Sequence, residues 1–398
     1  LVCAFRVDVG SKLQRVSAIW VFAVVWSSLS WTILVVACRI CGMRSALMPI
    51  VCCGVLVVGL VACGHQPAVV GAPSAAGSSN VPRQPADASL QQGLPKETVF
   101  KGQERFNALV AMAERENWRA LPLGKRTIRV ARELEGTPYV NFTLEIDDHI
   151  EAPSVNMHGM DCWTFYEISL AFARMLHWKD GPYTPHDLLA MIELERYRGG
   201  RCDGNYLSRM HFLEELYYDN EKRGLAVNIT RQLGGERIQR NIQEMTVGWR
   251  NYRYLRNNPE LRKKMADIER AVSALPVYHI PKSRVAAVES RLRDGDVVAI
   301  TTTWHGSYTS HVGLAVTDGR GHARLMHATS DRSKGRQVIT DRRISEYLAE
   351  NSNRAGIIVL RPHEVPSMRA AQRRSPQQPD SSLLAAGGLP ESPVSRQP

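Results

Sequence analysis

The sequence predicts an α+β fold, and three observations carry that reading. Helical spacing of apolar residues fills the first part of the body, from residue 106 to about residue 275. β-rich apolar runs fill the rest, from Val297 to Arg361. Short turn signals such as Asp318-Gly319-Arg320-Gly321 separate those runs, which suits antiparallel pairing and leaves no room for helical crossovers.

The elements follow in order. Phe106, Leu109, Val110 and Ala113 have helical spacing and predict a helix over residues 106–117. A second helix over 124–134 ends at Gly136-Thr137-Pro138, and residues 139–146 alternate as a strand. Asp161 is a good N-cap for an apolar helix from Cys162 to Met175 or Leu176. Thr184-Pro185 opens another helix through about Tyr197. Residues 207–221 read as helix, with Leu207, Met210, Leu213, Leu216 and Tyr217 apolar. Between 225 and 280 the pattern is mixed, apart from a helix over 259–275. Strands are then expected over 297–303, 310–316, 323–328, 337–340 and 356–361. No internal repeat is visible.

Both ends fall outside this body. Residues 64–98, with Gly71-Ala72-Pro73-Ser74, and residues from about 365, with Gln377-Gln378-Pro379, lack apolar periodicity and are expected to be linker or disordered. One elaborated domain of residues 99–363 remains. The formal charge of +11 drops once residues 1–62 are set aside, leaving 45 basic and 38 acidic residues. The body has no dense basic run with interleaved aromatics, so nucleic acid is not an expected partner. A mildly basic surface suits an anionic wall polymer or a membrane surface.

The first 62 residues read as an address. Residues 16–37 are apolar enough to span a bilayer. A second segment starts at Met43-Arg44, continues apolar to Ala62 and ends at Cys63, the form of a secretory signal. Met43 is the expected natural start, with residues 1–42 outside the normal product. Leu60-Val61-Ala62-Cys63 resembles the bacterial lipobox, which implies lipidation of Cys63. A transmembrane anchor ending near Val61 is the alternative. Gly64, in place of an aspartate that retains many lipoproteins in the inner membrane, favours the periplasmic face of the outer membrane.

Six of the eight cysteines lie at or before Cys63, so the body keeps only Cys162 and Cys202. They would either form one disulfide in an oxidising compartment or, if Cys162 is reactive, leave Cys202 as a structural thiol. Cys162 falls at the first position of its helix, where free N–H groups and the dipole favour thiolate over thiol. Taken alone it reads as an inert core cysteine. A base is needed within reach, and His311 and His327 supply one. A hairpin turn centred near Gly319 places them directly opposite each other on one sheet face, one as base and one holding its far nitrogen. Each histidine taken singly reads as a strand residue satisfied by backbone. A zinc site from Cys162, His311, His327 and His158 is the rival, although neither CxxC nor HExxH occurs. Tyr139 reads either as a core tyrosine or as a donor to an oxyanion. Arg209 reads either as a surface ion pair on a helix or as a clamp for a substrate carboxylate.

With these residues assembled, the chain resembles the NlpC/P60 superfamily of papain-like cysteine peptidases of bacterial cell wall. The shared pattern is Gly136-x-Pro138-Tyr139, Asp161-Cys162, Gly295-Asp296 and His311-Val312-Gly313, then a polar residue on the next strand. Within it the chain is most similar to the DUF1460 group, described as N-acetylmuramoyl-L-alanine amidase-like, through Asp161-Cys162-Trp163-Thr164-Phe165, Ser208-Arg209-Met210-His211-Phe212 and His327-Ala328-Thr329-Ser330. The likeness covers about residues 100–362. It implies a papain-like core, its nucleophile on a helix N-terminus packed on an antiparallel sheet, enlarged by mainly helical insertions. It further implies Cys162 as nucleophile, His311 as base, His327 as third member and Tyr139 near the oxyanion. Asn141-Phe142-Thr143 departs from the Gly-Gly pair usual after the tyrosine.

The expectation is an exported, lipid-anchored, monomeric cysteine amidase without cofactor or metal. It would cleave the N-acetylmuramoyl-L-alanine bond of peptidoglycan or muropeptides through a thioester. The alternatives are an endopeptidase cutting between D-glutamate and a diamino acid, a non-catalytic wall-binding lipoprotein, and a zinc-dependent amidase.

Overall fold

The computed structural model describes residues 21–27, 30–36 and 92–368. The chain divides into two compact units, Leu1–Gly71 and Ala72–Pro398. In the first, β1 (Val21–Ser27) and β2 (Ser30–Val36) pair as an antiparallel hairpin. The described part of that apolar stretch is therefore not a spanning helix, and no helix among the described residues is long and apolar enough to cross a membrane. Met43, Cys63 and Gly64 lie outside the described residues.

In the second unit, α1 (Lys96–Val99) leads into β3 (Phe100–Lys101), then α2 (Gln103–Arg115) and α3 (Leu123–Glu133). A short strand β4 (Val155–Asn156) pairs parallel with β3 just before α4 (Cys162–Trp178). From Thr164 to Trp178 every residue of α4 except His177 is buried. A helix apolar on nearly all sides belongs at the centre of a core, and α4 sits there. Next come α5 (Pro185–Arg196), opened at Thr184-Pro185 as expected and fixed there by a Thr184–Asp187 capping box, and α6 (Leu213–Lys222). The mixed region holds β5 (Ala226–Asn228), β6 (Glu236–Arg237), α7 (Glu244–Val247), α8 (Arg253–Asn257) and α9 (Glu260–Ser273). β7 (Tyr278–Pro281) and α10 (Lys282–Val288) lead to the main strands β8 (Val297–Thr302), β9 (Thr309–Thr317), β10 (Ala323–Ala328) and β11 (Val338–Arg343). After α11 (Ile344–Ala349), β12 (Arg354–Pro362) closes the sheet. The fold is α+β, as expected.

The eight-stranded sheet has the order β11-β10-β9-β8-β12-β7-β6, with β5 also on β12, and its ladders are antiparallel. Pleating sorts its residues into two cores. Val312, Leu314, Val316, Met326 and Ala328 join the large core around α4, whereas Ala315, Leu325 and Ile300 pack with Ile344, Tyr347 and Leu348 of α11.

Two expected elements differ. Residues 139–146 are not a strand: only Pro138 and Tyr139 make isolated bridges, and the chain then turns, with Phe142 at φ +58°. Residues 207–221 are not one helix: Tyr206–Ser208 form a single 3-10 turn, Arg209 then pairs with Tyr197 as an extended bridge, and α6 begins only at Leu213. At the far end the chain still packs after β12, with Val365 buried and Glu364 paired to Arg126.

Two ion pairs cross from α4 to α5. Arg196 Nη2 meets Glu167 Oε2 at 2.6 Å and also donates to the Ser154 carbonyl, and Arg174 meets Glu195 at 2.7 Å. Both members of the Glu167–Arg196 pair are fully buried, so removing one strands the other's charge. Glu167→Ala is expected to destabilise the body by about 3–5 kcal/mol, read as a lower urea midpoint at unchanged slope.

Candidate active site

Asp161 caps α4 by accepting from the Thr164 N–H at 2.8 Å, while Thr164 Oγ1 accepts from the Asp161 N–H at 3.0 Å. This reciprocal box fixes Cys162 at the first helical position, as the sequence predicts. The backbone N–H dipoles of Val312, Trp163 and Cys162 itself favour the anion of the thiol. Val312 follows His311 on β9, so the sulfur lies near the strand that carries the imidazole.

His311 and His327 do come together, by a register other than the expected one. The pairs Thr317–Ala323 and Leu314–Met326 centre the turn on Arg320, so the two histidines are diagonal neighbours instead of directly opposed. A shift of two residues keeps both on one face, where a shift of one would have separated them. His311 Nε2 lies 2.6 Å from His327 Nδ1, the rings meeting edge to face. His327 now faces Gly313, where an added Cβ would lie 2.6 Å from the Met326 carbonyl and 3.0 Å from His327 Cβ. The glycine lets β10 approach closely enough for the rings to meet.

Asp341 on β11 extends the chain, and sequence reasoning missed it. Its Oδ2 lies 3.3 Å from His327 Nε2 and 2.5 Å from Lys334 Nζ. Hydrogen bonds from His327 and Lys334 outweigh burial and hold the Asp341 carboxyl well below the usual carboxylate range. An ionised Asp341 accepts only, so His327 carries its proton on Nε2 and offers a lone pair at Nδ1. His311 must then donate from Nε2, which leaves its Nδ1 as the free base. One carboxylate thereby sets the tautomer of both rings. Its only sequence signal was an acid on the neighbouring strand, and register decides whether such a residue faces the pair.

Electrostatics correct the expectation of a resting thiolate. Burial and the adjacent Asp161 carboxylate push the Cys162 thiol up to about 12, against the three backbone N–H groups that favour the anion. Burial, with His327 and Arg354 nearby, holds His311 well below the ordinary histidine value. The resting pair is a neutral thiol and a neutral imidazole.

Cys162 opens on a cleft of about 300 Å³ that Tyr139, Phe142, Trp163, Arg209, His211 and Tyr252 also line. Tyr139 is held by its N–H to the Arg336 carbonyl, and its phenol is raised by burial and by Cys162 and Asp161, so it remains a donor. Arg209 is neither helical nor a surface pair. It is buried between Glu145 and Glu151, each at 3.2 Å, and lies over the Tyr206 ring, so two carboxylates already meet its charge. His158 lies apart from this group, paired with Glu104 at 2.6 Å. Among the described residues, no cluster of three His, Cys, Asp or Glu is arranged to hold a metal. Cys162 and Cys202 are both free, and the buried Cys202 thiol donates to the Glu151 carbonyl. A larger hollow of about 600 Å³ near Gly124 and Asp294 contains none of the expected site residues.

A helix-borne thiol, an imidazole relay and an antiparallel sheet fit a class of amidase-like hydrolases. The chain belongs to the N-acetylmuramoyl-L-alanine amidase-like (AmiA-like) family, whose model matches residues 129–357. It is similar to an N-acetylmuramoyl-L-alanine amidase from Bacteroides uniformis, at 28% identity over 61% of this chain and 99% of that one, with a TM-score of 0.55. A Bacteroides fragilis protein named as a candidate xylanase shares 29% identity over 58% of this chain and 99% of its own, with a TM-score of 0.51. A Legionella pneumophila protein of the DUF1460 family shares 18% identity over 66% of this chain and 95% of its own, at a TM-score of 0.48. No curated protein matches.

The pH profile follows from the neutral pair. A base role for His311 toward Cys162 requires an unprotonated imidazole, and its lowered value keeps it so through neutrality. The profile of kcat/KM is therefore expected to fall only in acid, below the ordinary histidine range, and to stay flat to about pH 10 because the thiol titrates near 12. An alkaline limb at pH 8–9 would instead indicate a resting thiolate–imidazolium pair.

Proposed function

We propose that this chain is an exported, lipid-anchored cysteine amidase of papain-like NlpC/P60 type. It cleaves the bond between the lactyl carbonyl of N-acetylmuramic acid and L-alanine in peptidoglycan or its fragments. The observation that carries the reading is a thiol open to a cleft at a helix N-terminus, with the His311–His327–Asp341 relay beside its strand. Family membership supports the amide bond and the wall substrate.

The sulfur of Cys162 attacks the lactyl carbonyl carbon as its proton passes to His311 Nδ1. His327 holds the imidazolium by accepting from Nε2, and Asp341 with Lys334 holds His327. Charge gathering on the carbonyl oxygen meets the Cys162 backbone N–H and the Tyr139 phenol. The C–N bond breaks, the alanine nitrogen takes the proton from His311, and the acyl group remains as a thioester. Water then attacks with His311 as base, releasing the muramic carboxylate and restoring the thiol. Arg209 braces the cleft wall through Glu145 and Tyr206.

Mass spectrometry of digested muropeptides tests the reaction. The wild-type chain is expected to release free stem peptides and intact sugar, and Cys162→Ser to lose at least about 10³-fold in rate. Cuts inside the stem would establish the endopeptidase, and absence of product the wall-binding alternative. Activity abolished by chelator and restored by Zn²⁺ would overturn the thiol mechanism. The anchor is tested separately by palmitate labelling in a bacterial host, where Cys63→Ala is expected to remove label and release the chain from the membrane fraction.

A further inference from the structure

Phe142 lines the cleft but belongs to neither the helix cap nor the imidazole relay. It is 54% exposed at the cleft that contains Cys162, and its backbone sits at φ +58°. A lone exposed apolar residue needs no explanation, but a bulky side chain in the left-handed region does. Gly and Asn adopt that conformation readily, and the chain has an asparagine one place earlier, at Asn141. Strain of this kind persists where the surroundings over-determine it, and it clusters at ligand clamps.

The surroundings here do over-determine it. Thr143, the next residue, donates to Asp161 at 3.1 Å and lies 3.2 Å from Thr164 Oγ1, which ties the turn to the cap that positions Cys162. On its other side the Phe142 ring meets the edge of Tyr252, with centroids 6.4 Å apart and planes at 87°. Tyr252 itself lines the same cleft wall as Glu244 of α7. The ring is thus braced on its flank and by its own backbone while half of it remains open to the cleft.

We propose that Phe142 is a stacking platform for the pyranose ring of the substrate, on the acyl side of the scissile bond. The C–H face of a sugar ring is apolar and flat, and an aromatic face is its usual complement. A bond joining a sugar-borne lactyl group to a peptide requires the sugar to leave the nucleophile on one side and the peptide on the other. The Asp161–Thr143 link makes the Phe142 turn a fixed wall on one such side. The inference rests on the amidase reading for its choice of ligand, and it makes the sugar, as well as the stem peptide, a determinant of binding.

Binding is measured by calorimetry on the full chain carrying Cys162→Ala, so that no ligand is consumed. The probes are N-acetylmuramoyl-L-alanyl-D-isoglutamine and its sugar-free counterpart, N-lactoyl-L-alanyl-D-isoglutamine. With Phe142 present the sugar is expected to tighten binding about tenfold or more. Phe142→Gly is expected to abolish that difference while leaving binding of the sugar-free probe unchanged, and Phe142→Trp to preserve it. Because glycine relieves the backbone strain, the melting temperature of the Phe142→Gly protein should equal or exceed that of its parent. No sugar advantage in the parent, or the same advantage after Phe142→Gly, would overturn the proposal. Failure of the amidase reading shows elsewhere, as stem cleavage by the thiol-bearing chain, and leaves this comparison intact.

Discussion

Past the Leu314–Met326 pair, β9 and β10 no longer bond to each other, and the site depends on that parting. The stretch Thr309–Gly313 stays anchored on its other side, where His311 pairs with Ile300 of β8, while β10 continues along β11 through Ala328. The Val312 N–H, without a β10 partner in that ladder, is one of the backbone groups that favour the Cys162 anion. Both imidazoles lie on the α11 face of the sheet, where Tyr347 packs against them, whereas the body of α4 lies against the opposite face. In the proposed reaction, the parting is what lets a thiol at the start of α4 be served by side chains of the other face.

The relay has its own logic of burial. His327 is 1% exposed, so its two nitrogens need partners within the protein, and His311 and Asp341 are those partners. Burial that disfavours imidazolium also disfavours thiolate, and both groups of the pair end up neutral at rest. In the proposed reaction, charge develops together with bond formation to the substrate, and the backbone N–H at the helix start and the Tyr139 phenol would receive it. Lys334 sits at the far end of the relay, and its charge keeps Asp341 ionised so that the acceptor end of the chain cannot reverse.

The helical insertions give the cleft its character. α7 and α8 bring Glu244, Met245 and the nearby Tyr252 to the wall opposite α4, and the extended segment before α6 brings Arg209, His211 and Phe212. With Glu145 and Glu151 both against Arg209, its charge is already met by two carboxylates. The exposed surface near the thiol is aromatic, through Phe142 and Tyr252, and the polar groups are largely engaged with each other.

Much of this was legible in the sequence because it is local. The cap before Cys162, the apolar length of α4, the Thr184-Pro185 start of α5 and the strand runs from Val297 onward each depend on residues within a turn or two of one another. Parity of the two histidines was legible as well, since side-chain alternation survives an even register shift. Tertiary structure decided what depends on distance and on burial. It turned the expected strand at Tyr139 into a bridge and a strained turn, because Thr143 is drawn to the cap of α4. It set the register of the hairpin, brought Asp341 behind His327, and neutralised Arg209 with acids some sixty residues away. It also reversed the expected ionisation of Cys162. The sequence shows the helix dipole that favours a thiolate, whereas only the folded chain shows the desolvation and the Asp161 carboxylate that outweigh it.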